Sequence, residues 1–197
     1  MEERKAILLE ALAGKNRGLL GNEIDRVRVL AAVEQLEDLN PTPNPLEQTA
    51  LLSGNWRLLY TTSRELLGLD RFPLFQLGQI YQCISPQHQR IYNFAEITGL
   101  PWLDSLVCVA AEFEPVSSRR VNVNFKRLIF GLQSLLGYRS AAEFIEQLEN
   151  SKKFAPLDFE INREQSGWLE ITYLDDDLRL GRGNEGNVFV LAREKSL

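Results

Sequence analysis

The segment from Trp168 to Leu191 constrains the fold most, because it contains short strand-like runs separated by tight turns. The first turn holds Asp175, Asp176 and Asp177, residues whose side chains can satisfy the amides of a turn. Strands joined by so few residues pair as antiparallel neighbours, since a parallel pair needs a long crossover. This segment therefore predicts antiparallel hairpins and argues against a parallel α/β sheet.

The same segment contains a nucleotide-binding pattern, because Gly181, Gly183 and Gly186 spell G-x-G-x-x-G. That fingerprint requires a helix that opens at its third glycine and points its N-terminus at a pyrophosphate. The residues after Gly186 are strand-like instead. We interpret the glycines as part of a hairpin, with positive φ expected around Asn184, Glu185 and Gly186.

Short alternating segments begin after Gly54 and predict about nine strands. In the clearest of them, Val121, Val123 and Phe125 alternate with polar residues, which gives one apolar face and one wet face. Strands with few helices between them indicate an antiparallel sandwich or a closed barrel. The predicted strands are 56–62, 79–85, 90–98, 106–114, 119–128, 157–162, 168–174, 178–182 and 187–193.

Two helices are predicted before the strands, one over residues 2–13 and a second that is capped by Asn22 and ends near Asn40. The proline-rich stretch 41–45 cannot lie inside a helix or a sheet. We therefore divide the chain into a helical annex with its linker, residues 1–45, and a β domain, residues 46–197.

Composition excludes several function classes. The net charge of −5 argues against nucleic-acid binding, which uses a basic face. Cys83 and Cys108 lie in apolar runs typical of buried, reduced cysteines. No apolar run reaches 18 residues, and the N-terminus lacks the features of a signal or transit peptide, so we expect a cytosolic or bacterial-type protein, or one already processed.

No catalytic or metal-binding constellation emerges from the sequence. His88 is the only histidine and lies in a polar turn without a neighbouring nucleophile. Two cysteines and one histidine at these spacings form no zinc site, and the three aspartates at 175–177 fit a hairpin turn better than a calcium loop. We expect a protein that is not an enzyme and that carries no metal and no cofactor.

Several stretches resemble the plastid lipid-associated proteins, or fibrillins, in their cyanobacterial form. They are residues 52–63 (LSGNWRLLYTTS), 78–82 (GQIYQ), 91–93 (IYN) and 168–191. The resemblance implies a mainly β protein with a helical N-terminal annex and a lipocalin-like antiparallel β-barrel. It also implies a peripheral place on the cytoplasmic side of thylakoid membranes or on lipid globules, a part in photoprotection, and binding of carotenoids, quinones, fatty acids or other lipids.

Gly54 and Trp56 also resemble the lipocalin signature, in which a tryptophan closes one end of the barrel and a late arginine packs over it. Arg193 is the first candidate for that arginine and Arg182 the second. A guanidinium over an indole face contributes roughly 0.5 to 2 kcal/mol. Such a plug stabilises a barrel without touching a ligand.

A barrel of about eight strands is either filled by its own side chains or holds one small ligand, and the sequence leaves both open. If a ligand is present, strand alternation selects the residues that would line the interior. These candidates are Trp56, Leu58, Tyr60, Val121, Val123, Phe125, Phe159, Tyr173 and Phe189.

Two further segments are candidates for contact surfaces. A basic strand next to an apolar segment favours an anionic lipid surface. Its residues are Arg119, Arg120, Lys126, Arg127, Leu128, Phe130 and Leu135. The apolar connection Ser63–Leu77 supports an alternative function, a scaffold with a filled barrel that docks an enzyme or a photosynthetic complex.

Overall fold

Antiparallel strands dominate the computed structural model, which describes residues 1–63, 76–98, 104–150, 153–154, 158–161 and 166–194. Each of the nine predicted strands is present, with bounds that differ by a few residues at most. The strands are β1 (Gly54–Thr61), β2 (Gln76–Ser85), β3 (Arg90–Thr98), β4 (Ser105–Pro115), β5 (Arg120–Leu132), β6 (Asp158–Glu160), β7 (Ser166–Leu174), β8 (Leu178–Gly183) and β9 (Val188–Glu194).

Eight of these strands close into a barrel. Each pairs with its neighbour in the circular order β1–β2–β3–β4–β5–β7–β8–β9, and β9 returns to β1. Strand β6 stands outside this circle and pairs with residues 127–129 of β5, beyond the stretch 120–124 that pairs with β7. The chain is thus mainly β with a lipocalin-like antiparallel barrel, which confirms the predicted fold class and excludes a sandwich.

Helices cover the outside of the barrel. They are α1 (Glu2–Leu12), α2 (Glu23–Glu37), α3 (Thr49–Leu52), α4 (Gln133–Leu136) and α5 (Ala141–Glu149). Asn22 caps α2 as predicted, because its side chain accepts a hydrogen bond from the Asp25 amide at 2.9 Å. No described helix combines the length and the apolar character needed to cross a bilayer.

The annex helices α1 and α2 bury one apolar side against the outer wall formed by β1, β7, β8 and β9. Leu8, Val29, Val33 and Leu36 are fully buried there, whereas Ile24, one of the apolar residues at the start of α2, remains 65% exposed. Arg182 anchors α2 to β8 through two hydrogen bonds to Glu37, at 2.6 and 3.0 Å. The second candidate for the plug therefore points outward.

Helix α5 covers the outer wall on the opposite side. Phe144 and Leu148 of the helix pack on Phe94, Cys83 and Cys108, which point outward from β2, β3 and β4. Strands covered on both sides show apolar residues on both faces. Facing cannot be read from hydrophobicity alone at such positions.

Two β-bulges change the facing of residues that simple alternation places inside the barrel. Leu58 pairs with Leu191 but Tyr60 pairs with Val190, so Leu59 is an extra residue and the side-chain direction reverses. The same shift occurs in β7 between Ile171 and Tyr173. The predicted inward facing of Tyr60 and Tyr173 is therefore wrong, and both pack under the annex helices.

Candidate functional site

One end of the barrel is closed by Trp56, which is completely buried. The Arg193 guanidinium lies 4.3 Å from the centre of the indole ring, and the indole Nε1 donates to the Leu52 carbonyl at 3.0 Å. Arg193 also donates to the carbonyls of Leu51, Ser53 and Asp176, so each of its three guanidinium nitrogens has a backbone acceptor, although burial lowers its pKa. The predicted pairing of Gly54-x-Trp56 with Arg193 is confirmed as the closed end.

Beyond this plug the barrel encloses a cavity of about 340 Å³. Ile80, Ile91, Val109 and Leu169 contribute to its apolar wall, and Asn184 lies at the end opposite the plug, where the β8–β9 connection meets solvent. Small-molecule sites have volumes of roughly 300 to 1,000 Å³, so the interior is large enough for a small ligand. The side chains of the interior cluster therefore leave part of the barrel interior unfilled.

Glycines of β8 help to keep the interior open. Gly181 and Gly183 face the cavity, while Leu180 between them packs under the annex. A side chain at Gly183 would meet the Phe189 ring, with Cβ 3.1 Å from Cε2. Positive φ is confined to Glu185 and Gly186 in this hairpin, so Gly181 and Gly183 are explained by space and not by turn geometry.

A short chain of polar side chains interrupts the apolar wall near the plug. Arg179 of β8 donates to the Gln82 side-chain oxygen, and Gln82 Nε2 donates to Asn93 Oδ1 at 2.9 Å. The Arg179 guanidinium also lies 5.2 Å from the Trp56 ring centre, on the cavity side. Burial and the nearby Arg193 charge lower the pKa of Arg179 to about 9, so it remains a cation at neutral pH.

Sequence reasoning missed Arg179, Gln82 and Asn93, although a signal exists. The order Arg179-x-Gly181-x-Gly183 alternates with Leu178 and Leu180. Successive side chains of a strand point to opposite faces of the sheet. If the leucines pack under an outer layer of helices, the arginine and both glycines therefore face the barrel interior. The predicted annex supplied that outer layer.

The nine predicted lining residues fall into three groups. Tyr60 and Tyr173 are on the outer wall, and Phe159 is 51% exposed on β6, outside the closed circle of strands, which corrects its predicted place in the interior. The other six predicted residues lie in the interior cluster: Trp56, Leu58, Val121, Val123, Phe125 and Phe189. Contact of these six residues with a ligand stays a prediction.

The predicted basic surface is largely neutralised by neighbouring groups. Arg119 lies 3.6 Å from Glu170, and Lys126 lies 3.6 Å from Glu112. Arg127 forms a bidentate pair with Asp158, and Arg120 stacks on Trp168 at 4.1 Å. Contact of these cations with an anionic lipid surface stays a prediction. Its apolar members Phe130 and Leu135 are 40% and 69% exposed, and Leu128 is half-buried.

A groove of about 520 Å³ lies outside the barrel beside Arg90, Lys126 and Arg127. Glu112, Asp158 and Glu160 line the same groove, so charges of both signs are present in it. Tyr92, Leu148 and Phe154 also line it, so the groove combines charged and apolar side chains.

Reactive groups elsewhere are held in inert settings. Burial raises the pKa of the Cys83 thiol to about 12 and also raises the pKa of Cys108, which keeps both thiols protonated. Asp175 accepts hydrogen bonds from the amides of Asp177 and Leu178, as expected of a turn residue. Within the described ranges, no group of three or more His, Cys, Asp and Glu side chains could hold a metal ion.

His88 ends a short 3₁₀ turn, Pro86–His88, and its Nδ1 lies 2.9 Å from the Ser85 hydroxyl. The side chain is 59% exposed to solvent, which leaves it without the shielding that a catalytic base needs.

Most of the Ser63–Leu77 connection, residues 64–75, lies outside the described residues.

The similarity to known proteins extends over nearly the whole chain. The PAP_fibrillin family model matches residues 2–192. Plastoglobulin-1, chloroplastic, of Pisum sativum is 36% identical over 224 aligned positions, which cover 100% of this chain and 62% of that protein. Chromoplast-specific carotenoid-associated protein of Cucumis sativus is 31% identical over 219 positions, covering 98% of this chain and 68% of that protein.

A third relative, probable plastid-lipid-associated protein 3 of Arabidopsis thaliana, is 36% identical over 223 positions, which cover 98% of this chain. The chain spans 58% of that protein's length and 62% of the pea protein's length.

Proposed function

The chain belongs to the PAP_fibrillin family, and we propose that it binds a small apolar molecule inside its β-barrel without converting it chemically. The observation that carries this proposal is the cavity of about 340 Å³ above the Trp56 plug. The proposed ligand is a carotenoid, a quinone, a fatty acid or another lipid, and the parts of a longer molecule that exceed this volume would extend through the open end of the barrel. The name of the cucumber relative refers to carotenoid association, and the relatives named above are chloroplast or chromoplast proteins.

The apolar wall supplies the binding energy in this proposal. Each buried CH₂ contributes about 0.8 kcal/mol, so a chain of about ten CH₂ groups would gain roughly 8 kcal/mol before the costs of association. Apolar burial is not directional, so selectivity among apolar chains of similar width would be low. The site of action would be the surface of a photosynthetic membrane, on the cytoplasmic side of the thylakoid in a cyanobacterial-type cell.

The test is uptake by the purified protein of a carotenoid, a prenylquinone and oleate, followed by native mass spectrometry. Wild type should retain at least one of them in a one-to-one complex. A Val123→Trp variant, which places an indole in the cavity, should bind that molecule at least tenfold more weakly. Asn122→Trp is the matched control, because Asn122 is the next residue on β5 and faces solvent.

Thermal unfolding of both variants would establish that they are folded. If wild type retained none of the three molecules, or if both tryptophan variants bound like wild type, ligand binding inside the barrel would be refuted.

A second candidate function is contact of the open end with a lipid surface. Leu128 pairs with Phe159, so these side chains share one face of the sheet, and Phe130 lies two residues further along the same face. With Leu135, which is 69% exposed on α4, they form an apolar lip at the end of β5. Exposed apolar side chains grouped in this way favour insertion at an interface.

Flotation with liposomes tests this second function. The double variant Phe130→Ser/Phe159→Ser should lose most vesicle binding, whereas Val116→Ser, at a 59% exposed valine in the β4–β5 turn at the other end, should not. Because the basic strand is neutralised by Glu112, Asp158 and Glu170, anionic and neutral vesicles should bind similarly. Equal flotation of wild type and the double variant would remove the lip from consideration.

A further inference from the structure

Among the polar residues that line the cavity, Arg179 is the one whose burial is least explained by its contacts. Its side chain is 1% exposed, and it faces inward from β8 between the inward-facing Leu174 and Leu191 of the neighbouring strands. A strand position of this kind ordinarily holds an aliphatic residue, because an unpaired buried charge is strongly unfavourable. A buried charge at such a position therefore marks a candidate functional site.

The hydrogen bonds of Arg179 leave part of its guanidinium free. One terminal nitrogen, Nη2, donates to Gln82, whereas the other, Nη1, is buried without any hydrogen-bond partner. Among the described residues, no carboxylate forms a salt bridge with Arg179, and the charge that most lowers its pKa is the like charge of Arg193. Arg193 differs because three backbone carbonyls accept its hydrogen bonds.

The surroundings of the free nitrogen are arranged for an acceptor from the cavity. Gln82 is itself held by Asn93, so the amide oxygen that binds Arg179 is fixed in place. The indole of Trp56 supports the guanidinium from the side of the plug. Both Arg179 and Asn93 belong to the lining of the cavity, so the cavity is the side from which an acceptor would approach the free nitrogen.

From this geometry we propose that the cavity takes a single apolar chain with a carboxylate head group, and that Arg179 binds the carboxylate. This inference rests on the proposed function, because it requires that the barrel holds a ligand. A planar carboxylate matches the fork of a guanidinium and accepts a charge-assisted hydrogen bond from the free Nη1. A monovalent anion would also balance the charge of Arg179.

The position of Arg179 sets the orientation of the chain. Arg179 lies near the plug, and Gly181 and Gly183 follow it along β8 toward the open end. Four residues of strand rise about 13 Å, so the head group lies deep and the chain runs outward past the two glycines. The missing side chains at these glycines leave room for that path.

The experiment compares oleate with methyl oleate, which has the same chain and a neutral head group, at concentrations below micelle formation. Isothermal titration is performed on delipidated wild type, Arg179→Met and Arg182→Gln. Methionine keeps the length and apolar bulk of the arginine stem. Arg182→Gln is the matched control, because Arg182 lies on the same strand but points outward to Glu37.

Wild type and the Arg182 control should bind oleate about 10- to 100-fold more tightly than methyl oleate, as expected for a hydrogen-bonded charge in a buried site. Arg179→Met should bind the two molecules with nearly equal affinity and should keep its affinity for the ester. Equal binding of acid and ester by wild type, or an unchanged preference in Arg179→Met, would overturn this inference while the proposed function stood. Failure of both molecules to bind, together with failure of the carotenoid and the quinone, would instead overturn the proposed function.

Discussion

Replacement of Arg179 by methionine should make the ligand-free protein more stable. Burial lowers the pKa of this guanidinium from its ordinary value to about 9, which means that the folded state disfavours the charged form. A shift of this size corresponds to a destabilisation of at most about 5 kcal/mol by the buried charge. Loss of the Gln82 hydrogen bond and of the stacking on Trp56 offsets about 2 to 4 kcal/mol of that gain.

The net expectation is that Arg179→Met raises the free energy of unfolding by about 1 to 3 kcal/mol, in the range found when buried ionic groups are replaced by apolar ones. For a chain of this length the melting temperature should rise by roughly 2 to 4 °C per kcal/mol. Urea unfolding and thermal melting of delipidated protein at pH 7 measure both quantities. Delipidation is essential because a bound carboxylate would stabilise only the wild type.

The pH dependence gives an independent check. When folding lowers the pKa of a basic group, the charged group reduces the free energy of unfolding by its full amount at every pH below the folded-state pKa. This reduction shrinks as the pH rises from the folded-state pKa to the unfolded-state pKa. The stability difference between variant and wild type should therefore be constant up to about pH 8 and should narrow above pH 9. A melting temperature of Arg179→Met equal to or below that of wild type would refute the reasoning that this charge is unsatisfied.

Three further predictions concern the rest of the molecule. Arg193→Met should lower the free energy of unfolding by about 2 to 4 kcal/mol in urea titrations, because three backbone carbonyls lose their donor; a change below 1 kcal/mol would contradict the plug. Cys83 and Cys108 should resist iodoacetamide at pH 8 in the native protein and react within minutes in urea, as followed by mass spectrometry. Rapid labelling of these thiols in the native protein would show that burial does not hold them protonated. Hydrogen bonds from Lys5, Tyr173 and the turn amides hold the pKa of Asp175 below its usual value despite burial. Asp175→Asn should therefore destabilise the protein fully above about pH 4, and progressively less as the pH falls through the folded pKa of Asp175. A stability difference that did not change with pH would exclude the carboxylate charge as the cause.

The strands were predictable from the sequence because the relevant signals are local. The turn residues Asp175 to Asp177 and Asn184 to Gly186 mark the hairpins, and the polar face of Asn122 and Asn124 marks a wall that helices leave uncovered. These features depend on neighbours in sequence and not on distant packing. The closure of the barrel, by contrast, was taken from resemblance.

The facing of residues was less predictable where an extra residue interrupts a strand. Leu59 and Thr172 each shift the register by one, and neither is a glycine or otherwise marks a bulge in the sequence. One such insertion moves every later side chain to the other face. Tyr60 and Tyr173 were misplaced for this reason.

Arg179 escaped prediction for a different reason. An arginine in a strand is ordinarily assigned to the solvent face, and Leu178 and Leu180 on either side suggest an apolar inward face. The annex helices reverse this assignment, because they bury those leucines from outside. Only knowledge of which wall the annex covers would have turned Arg179 into the cavity.

The two arginines that flank Trp56 show how structural and functional roles separate on one indole ring. Both guanidinium groups lie within about 5 Å of the ring centre, at 4.3 Å for Arg193 and 5.2 Å for Arg179. Arg193 has its donors satisfied by backbone carbonyls, whereas Arg179 keeps a buried donor without a partner. The same substitution to methionine should therefore have opposite effects on stability at the two positions. In the empty protein, the unfavourable burial of the Arg179 charge outweighs the stabilisation from its Gln82 hydrogen bond and its Trp56 contact, so the carboxylate of a bound chain is the consistent partner for Arg179.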